Sequence, residues 1–249
     1  TLEISPLPAS SDKVTITILY NNVPDDARMR TDWGFSALVQ YKDQVVLFDT
    51  GTSGRILLQN MQTLAIDAKS GMAVVLSHPH SDHTGGLDTF LEISSLPPVY
   101  ATPSFGSAFI QRIRQVTAVI EAVPGQFIAD GILTTGEVEG GIAEQALVIQ
   151  IESGLVVITG CAHPGVVRMV ERAIELTGEP VIMVLGGFHL TEQSDTQIKK
   201  IIADFKRLGV LQVAPSHCTG ARAMQLFAEA YGDDFINTGR AKGRVCESG

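Results

Sequence analysis

The stretch HPHSDH at 78–83 puts three of the chain's six histidines and one aspartate into six residues, directly after the apolar run at 72–77. The other histidines repeat that placement. His163 follows LVVITG, His189 follows VIMVLGG and His217 follows VLQVAPS. Four predicted strands therefore each deliver a histidine just beyond their C-terminal ends. In open α/β sheets that edge is where sites assemble, because loops converge there while the strands hold them. Histidines scattered without purpose would fall equally on helices and outer surfaces, and none of the six does.

Hydrophobic period supplies the surrounding elements. Residues 14–20 (VTITILY) alternate as a half-exposed strand, and 35–41 with 44–49 form a predicted hairpin around Lys42-Asp43. A helix is predicted over 55–68, with Leu57, Met61, Leu64 and Ala68 on one face. Residues 88–145 carry Pro97-Pro98, Pro103 and Pro124 and yield one predicted helix, at 107–121. This region reads as the most variable part of the architecture and a candidate substrate-side wall. Strands at 146–151 and 155–159 flank Glu152-Ser153-Gly154, a strong hairpin signal. Thereafter helices at 166–176, 194–208 and 221–231 alternate with strands at 181–185 and 210–214. Ser194 with Gln197 suits a capping box and Gly209 a helix stop. No linker forces a boundary, so one domain over 1–249 is expected.

A net charge of −9 argues against nucleic acid as a partner, since phosphate binding needs a basic surface. No apolar run reaches the ~18 residues of a membrane span. TLEISPLPASSDK shows no signal-peptide pattern, and Cys161, Cys218 and Cys246 make no disulfide framework. A cytoplasmic location is the expectation.

The spacing carries chemistry. In a loop leaving a strand, His78 and His80 point the same way and can share one cation, while Asp82 and His83, turned by Gly85-Gly86, reach a second. Imidazole plus carboxylate without a thiolate cage suits zinc, manganese or iron with an open coordination position. Ions ~3.5–4 Å apart can hold a bridging hydroxide and accept charge developing on a substrate oxygen.

With LFDTG at 47–51, HPHSDH and the TGG behind it, ITGCAH at 158–163 and PSHCTG at 215–220, the sequence resembles the metallo-β-lactamase superfamily. The resemblance implies an α/β fold, a four-layer αββα sandwich of two mixed β-sheets flanked by helices. It implies one or two divalent ions per chain, with zinc first and manganese or iron as alternatives. The expected metal ligands are His78, His80, Asp82, His83, His163 and His217. Asp82 also orients the attacking water, and Asp49 organises the loops from behind. GCAHPG, GGFHL and PSHCTG together resemble the branch containing the archaeal dihydropterin–ribofuranosylaminobenzene phosphate synthase.

Two departures stand out. Most members place a metal histidine before the hairpin at 146–159, and 134–145 contain none; His163 is expected to supply it. Most also end the hairpin in Gly-Asp, whose aspartate bridges the metals, where this chain has Cys161. Single-metal occupancy therefore stays open, and Cys161 reads as a small buried residue more than a ligand. Cys218 and Cys246 read as structural. His189 has no standard counterpart and is assigned to substrate or proton transfer, with ligation as second choice. Trp33 and Phe35 are candidates to stack on a flat ring, with core packing as the rival reading. Asn21-Asn22 reads as a turn, with reach into the cleft as the rival reading.

The expected function is a metal-dependent hydrolase, using a metal-bound hydroxide on an ester, lactone or phosphoester of a small molecule. The alternative is a transferase condensing a pterin diphosphate with an aminobenzene riboside phosphate. A third reading is a non-catalytic metal sensor. The partner in the first two is a small molecule, with a phosphorylated or pterin-like one as the candidate.

Overall fold

A computed structural model describes residues 2–4, 13–23 and 26–238; Cys246 lies outside them. Two mixed sheets form the centre. The first runs in chain order: β1 (Leu2–Ile4), β2 (Val14–Tyr20), β3 (Ser36–Tyr41), β4 (Gln44–Phe48), β5 (Ala73–Val75), β6 (Val99–Ala101) and β7 (Val119–Glu121). Pairing is antiparallel up to β4 and parallel from β4 to β7. The second sheet contains β8 (Phe127–Ala129), β9 (Ile132–Thr134), β10 (Leu147–Ile151), β11 (Gly154–Thr159), β12 (Val181–Gly187) and β13 (Gln212–Ser216). Its order is β13-β12-β11-β10-β9-β8, parallel across β13, β12 and β11 and antiparallel beyond.

Three buried apolar clusters define four layers. One joins the sheets face to face, with Ile16, Val39 and Phe48 from the first meeting Leu147, Val156 and Met183 from the second. A second packs the outer face of the first sheet against α1 (Gly54–Thr63), α3 (Leu87–Ile93) and α4 (Gly106–Arg114), with the short α2 (Ser81–Thr84) carrying Asp82 and His83 between α1 and α3 in the chain. The third packs the other sheet against α5 (Val166–Thr177), α6 (Asp195–Arg207) and α7 (Ala221–Tyr231). The expected αββα sandwich is therefore the observed one. Each strand with a buried face on both sides reads as a near-continuous apolar run, as β11 and β12 do.

Local chemistry explains the helices. Val166, Met169, Val170 and Ala173 make the buried face of α5, at the spacing a 3.6-residue period requires. On α6 the buried face is Ile198, Ile202 and Phe205, and its start carries the expected box: the Ser194 hydroxyl accepts from Gln197 N–H and the Gln197 side chain from Ser194 N–H.

Several boundaries differ from expectation. The helix predicted at 107–121 stops at Arg114, and Val119–Glu121 pairs with β6 as an edge strand. Val119 and Ile120 are β-branched and favour that pleated position. The helix predicted to reach 68 ends at Thr63, before Ala65 enters the left-handed region at φ 56°. The strand predicted at 210–214 is shifted to 212–216. Region 88–145 supplies the last two strands on one side of each sheet, β6 and the edge strand β7 to one, β9 and the edge strand β8 to the other. Among the described residues no helix is long and apolar enough to cross a membrane.

Candidate metal centre

Asp49 follows β4, His78 follows β5, His163 follows β11, His189 follows β12 and His217 follows β13. The sandwich thus presents these strand ends to one another, and all six histidines meet. Ring centroids lie 4.8 Å apart for His78–His80, 4.2 Å for His78–His83, 4.6 Å for His78–His163 and 4.9 Å for His80–His163. His83–His217 is 5.0 Å and His163–His189 is 4.5 Å. His80 and His189 are exposed at the rim, whereas His78 and His83 are fully buried.

Each inner imidazole is oriented from behind through Nδ1, which leaves Nε2 facing inward. His83 Nδ1 lies 2.7 Å from Asp49 Oδ2, His163 Nδ1 is 3.0 Å from Glu144 Oε2, and His217 Nδ1 is 3.1 Å from Asn22 Oδ1. A carboxylate or amide oxygen accepts, so each Nδ1 is the donor and Nε2 is the nitrogen turned inward. His78 Nδ1 contacts Ser77 Oγ at 2.8 Å, and Ser77 Oγ in turn donates to Asp49 Oδ2 at 2.7 Å. His78 Nδ1 is therefore the donor and its Nε2 is unprotonated. His80 turns Nδ1 toward that nitrogen, at 3.1 Å. Burial pushes His78 down to about 3 and His83 to about 4, so both are neutral at pH 7.

Carboxylates hold the frame. Asp49 Oδ1 accepts the Ser77 N–H at 2.7 Å, and its backbone sits at φ 57°. Glu144, absent from every expectation above, is buried in the centre of the 160–163 turn. Its Oε1 accepts from the N–H groups of Gly160, Cys161 and Ala162 at 3.0, 2.9 and 2.9 Å. Its Oε2 accepts the His163 N–H at 3.1 Å as well as the His163 ring. Burial opposes its ionisation, yet the His163 bond, the nearby His78 and these amides hold it down to about 2. Asp82 receives the Trp33 Nε1–H at 2.9 Å on Oδ2, which stands 3.3 Å from His217 Nε2 and 3.6 Å from His83 Nε2.

The donor set fits a divalent cation. Among the described residues, every ion pair of Asp49, Asp82 and Glu144 is to a histidine. Burial pushes Asp49 up to about 8, against His78 and the Ser77 donors, so the carboxylate form that accepts from Ser77 and His83 calls for a positive charge nearby. His217 Nε2 is buried without a hydrogen-bond partner. Three groups have mutually close donor atoms, within 4.8 Å: Asp82, His83, Cys161 and His217; His78, Cys161 and His163; and Cys161, His189 and Cys218. Tied outer nitrogens and bare inner ones are what metal-ligating histidines require.

The remaining residues singled out in the sequence fall as follows. Trp33 is 55% exposed at the mouth, its ring 5.0 Å from His217, while Phe35 is 0% exposed and packs on Phe48 in the core. The stacking expectation for Phe35 is therefore corrected. Asn22 is more than a turn residue, since its Nδ2 donates to His217 O at 3.0 Å while Oδ1 receives the ring. Gly86 allows close packing of loops, because a Cβ there would meet Thr50 O at 2.2 Å. His189 stands beside His163 in the left-handed region at φ 51°, and a bond to Cys218 raises its pKa.

A family model for the metallo-β-lactamase superfamily matches residues 33–164, which span the Trp33 mouth, HPHSDH, Glu144 and His163. The chain belongs to the metallo-β-lactamase superfamily. It is 33% identical over 236 residues to the 7,8-dihydropterin-6-methyl-4-(β-D-ribofuranosyl)-aminobenzene-5'-phosphate synthase of Methanocaldococcus jannaschii, covering 76% of this chain and 80% of that protein. A solved metal-dependent hydrolase of the β-lactamase superfamily superposes with a TM-score of 0.74 at 31% identity, over 89% of this chain and 94% of that one. The metallo-β-lactamase fold protein YhfI from Bacillus subtilis gives 0.64 at 16% identity, over 90% and 94%, which shows the shared fold alone. Metallo-β-lactamase architecture thus accounts for both sheets and for the edge where the histidines gather.

Proposed function

We propose that this chain is a metal-dependent hydrolase of a small ester, lactone or phosphoester. The observation that carries the reading is the convergence of inward-facing imidazole nitrogens from three strand ends, with Asp82 at their margin. His78, His80 and His163 would hold one divalent cation, and Asp82, His83 and His217 a second; zinc heads the list, with manganese and iron behind it. A cation bound there supplies Lewis acidity, which activates water at neutral pH and draws off charge developing on a substrate oxygen.

The chain's own residues do the rest. Asp82 is positioned by the Trp33 N–H and accepts a hydrogen bond from the attacking water, setting its direction. His189, exposed at the rim beside His163, hands a proton to the leaving group. Asp49, Glu144, Ser77 and Asn22 keep the imidazoles in the correct tautomer.

His80→Ala tests this directly. Metal content and turnover on a panel of esters, lactones and phosphoesters are expected to fall together; retention of both overturns the reading. A transferase acting on a pterin diphosphate and an aminobenzene riboside phosphate is the second reading. It is favoured by the likeness to the archaeal synthase and by the exposed Trp33 indole, a flat platform at the mouth. Incubation with both substrates under zinc, manganese or magnesium separates the two, since only the transferase yields a condensation product.

A further inference from the structure

One side chain is common to every group of closely spaced donors among the described residues: Cys161. Its sulfur is within 4.8 Å of the donor atoms of Asp82, His83 and His217, and equally of those of His78 and His163. It is 3.3 Å from His83 Nε2. The position is held, not incidental. Glu144 Oε1 clamps the N–H groups of residues 160–162. Gly160 lies so close to the Ser77 side chain that a Cβ would meet its Oγ at 2.2 Å. The sulfur is therefore fixed in the gap between the two half-sites and is almost wholly buried.

A second thiol lies close by, and the geometry separates the two. Cys218 joins only the group with Cys161 and His189, and its Sγ is directed at the Cys161 carbonyl at 3.7 Å. It belongs to neither of the groups that contain the inner histidines.

We propose that Cys161 is a metal ligand shared by the two half-sites, its thiolate standing between the donors of His78 and His163 on one side and those of Asp82, His83 and His217 on the other. The inference rests on the metal-site reading above. Binding releases the thiol proton to solvent as the sulfur–metal bond forms, so one proton leaves for each thiol engaged. The sulfur also makes the centre selective. A thiolate is a soft donor that favours zinc, cobalt or iron over manganese and magnesium, whereas an oxygen-only bridge accepts the harder ions.

Titrating the metal-free protein with cobalt(II) tests this. The readouts are sulfur-to-cobalt charge-transfer absorption in the near ultraviolet and the equivalents bound by elemental analysis. The expected result is two equivalents with the sulfur band. Cys161→Ser abolishes the band and weakens one equivalent by about tenfold or more. Cys218→Ser keeps the band. Cys161→Asp binds two equivalents without it and takes up more manganese relative to zinc, which also shows that the pocket still folds. A band that survives Cys161→Ser, or disappears in Cys218→Ser alone, overturns the assignment. Cobalt uptake without a sulfur band overturns this inference and leaves the metal site standing; no cobalt uptake overturns both.

Discussion

Replacing Glu144 by glutamine keeps the side-chain shape and removes one negative charge from a carboxylate that accepts five hydrogen bonds. The amide oxygen can retain the three bonds from residues 160–162. The amide NH₂ then takes the place of Oε2 and faces two donors, the His163 N–H and the His163 ring. Bonds to a charged acceptor contribute about 1.5–3 kcal/mol each, so losing the His163 N–H bond and exchanging the ring bond for a neutral one costs about 2–5 kcal/mol. Removing the charge also relieves its own burial, which reduces the net loss to about 2–4 kcal/mol. The effect on the site is sharper. His163 Nδ1 must now accept from the amide, which moves its proton to Nε2 and blocks the lone pair that faces the metal position. Removing such an orienting partner typically lowers metal affinity about 10–100-fold. Urea denaturation of metal-free protein measures the first quantity and competition with a chromophoric chelator the second. A variant within about 0.5 kcal/mol of the parent and equal to it in metal affinity would show that Glu144 neither clamps the turn nor sets the His163 tautomer.

Three further outcomes follow from other contacts. Gly187→Ala places a Cβ 2.3 Å from Gly160 O and 2.7 Å from Cys218 Sγ, so the β11–β12 ends must part; a loss of about 2–3 kcal/mol is expected, and an unchanged urea midpoint would refute the close approach. Trp33→Phe deletes the N–H donated to Asp82 while keeping an exposed ring; turnover is expected to fall with stability altered by less than about 0.5 kcal/mol, and equal turnover would remove Trp33 from the site. Chelation is expected to lower the thermal midpoint, because buried Asp49 and Glu144 lose their counter-charge. At a hundredfold excess of ion over Kd the linkage is about 2.7 kcal/mol, and a midpoint indifferent to metal would speak against occupancy.

What could be read directly from the chain was whatever repeats over a short distance. β2 and the eleven-residue amphipathic run of α7 match their predicted limits because each carries two or more full periods. β2 is buried on both faces, however, and not half-exposed as its alternation predicts, since helices cover the outer face of its sheet. The three-residue strands β6, β7, β8 and β9 carry too few residues to show a period, and only pairing with a neighbour makes them strands. The helix predicted through 121 failed there for that reason. The histidines were legible because the signal is positional, each lying at the end of an apolar run.

Their supporting groups were not. Glu144 looks like any carboxylate in a Gly-rich loop until the β10–β11 hairpin carries residues 160–163 back over it. Asn22 reaches His217 across 195 residues, and Cys161 falls between two donor groups only once both sheets are stacked. By itself, then, the amino-acid sequence determined the layered α/β class, the strand ends that carry imidazoles and the family. The sandwich decided which nitrogen each histidine turns inward, which carboxylate holds it, and where the thiol stands. Local period depends on neighbours a few residues apart, whereas tautomer and donor geometry depend on contacts that exist only after the two sheets close on each other.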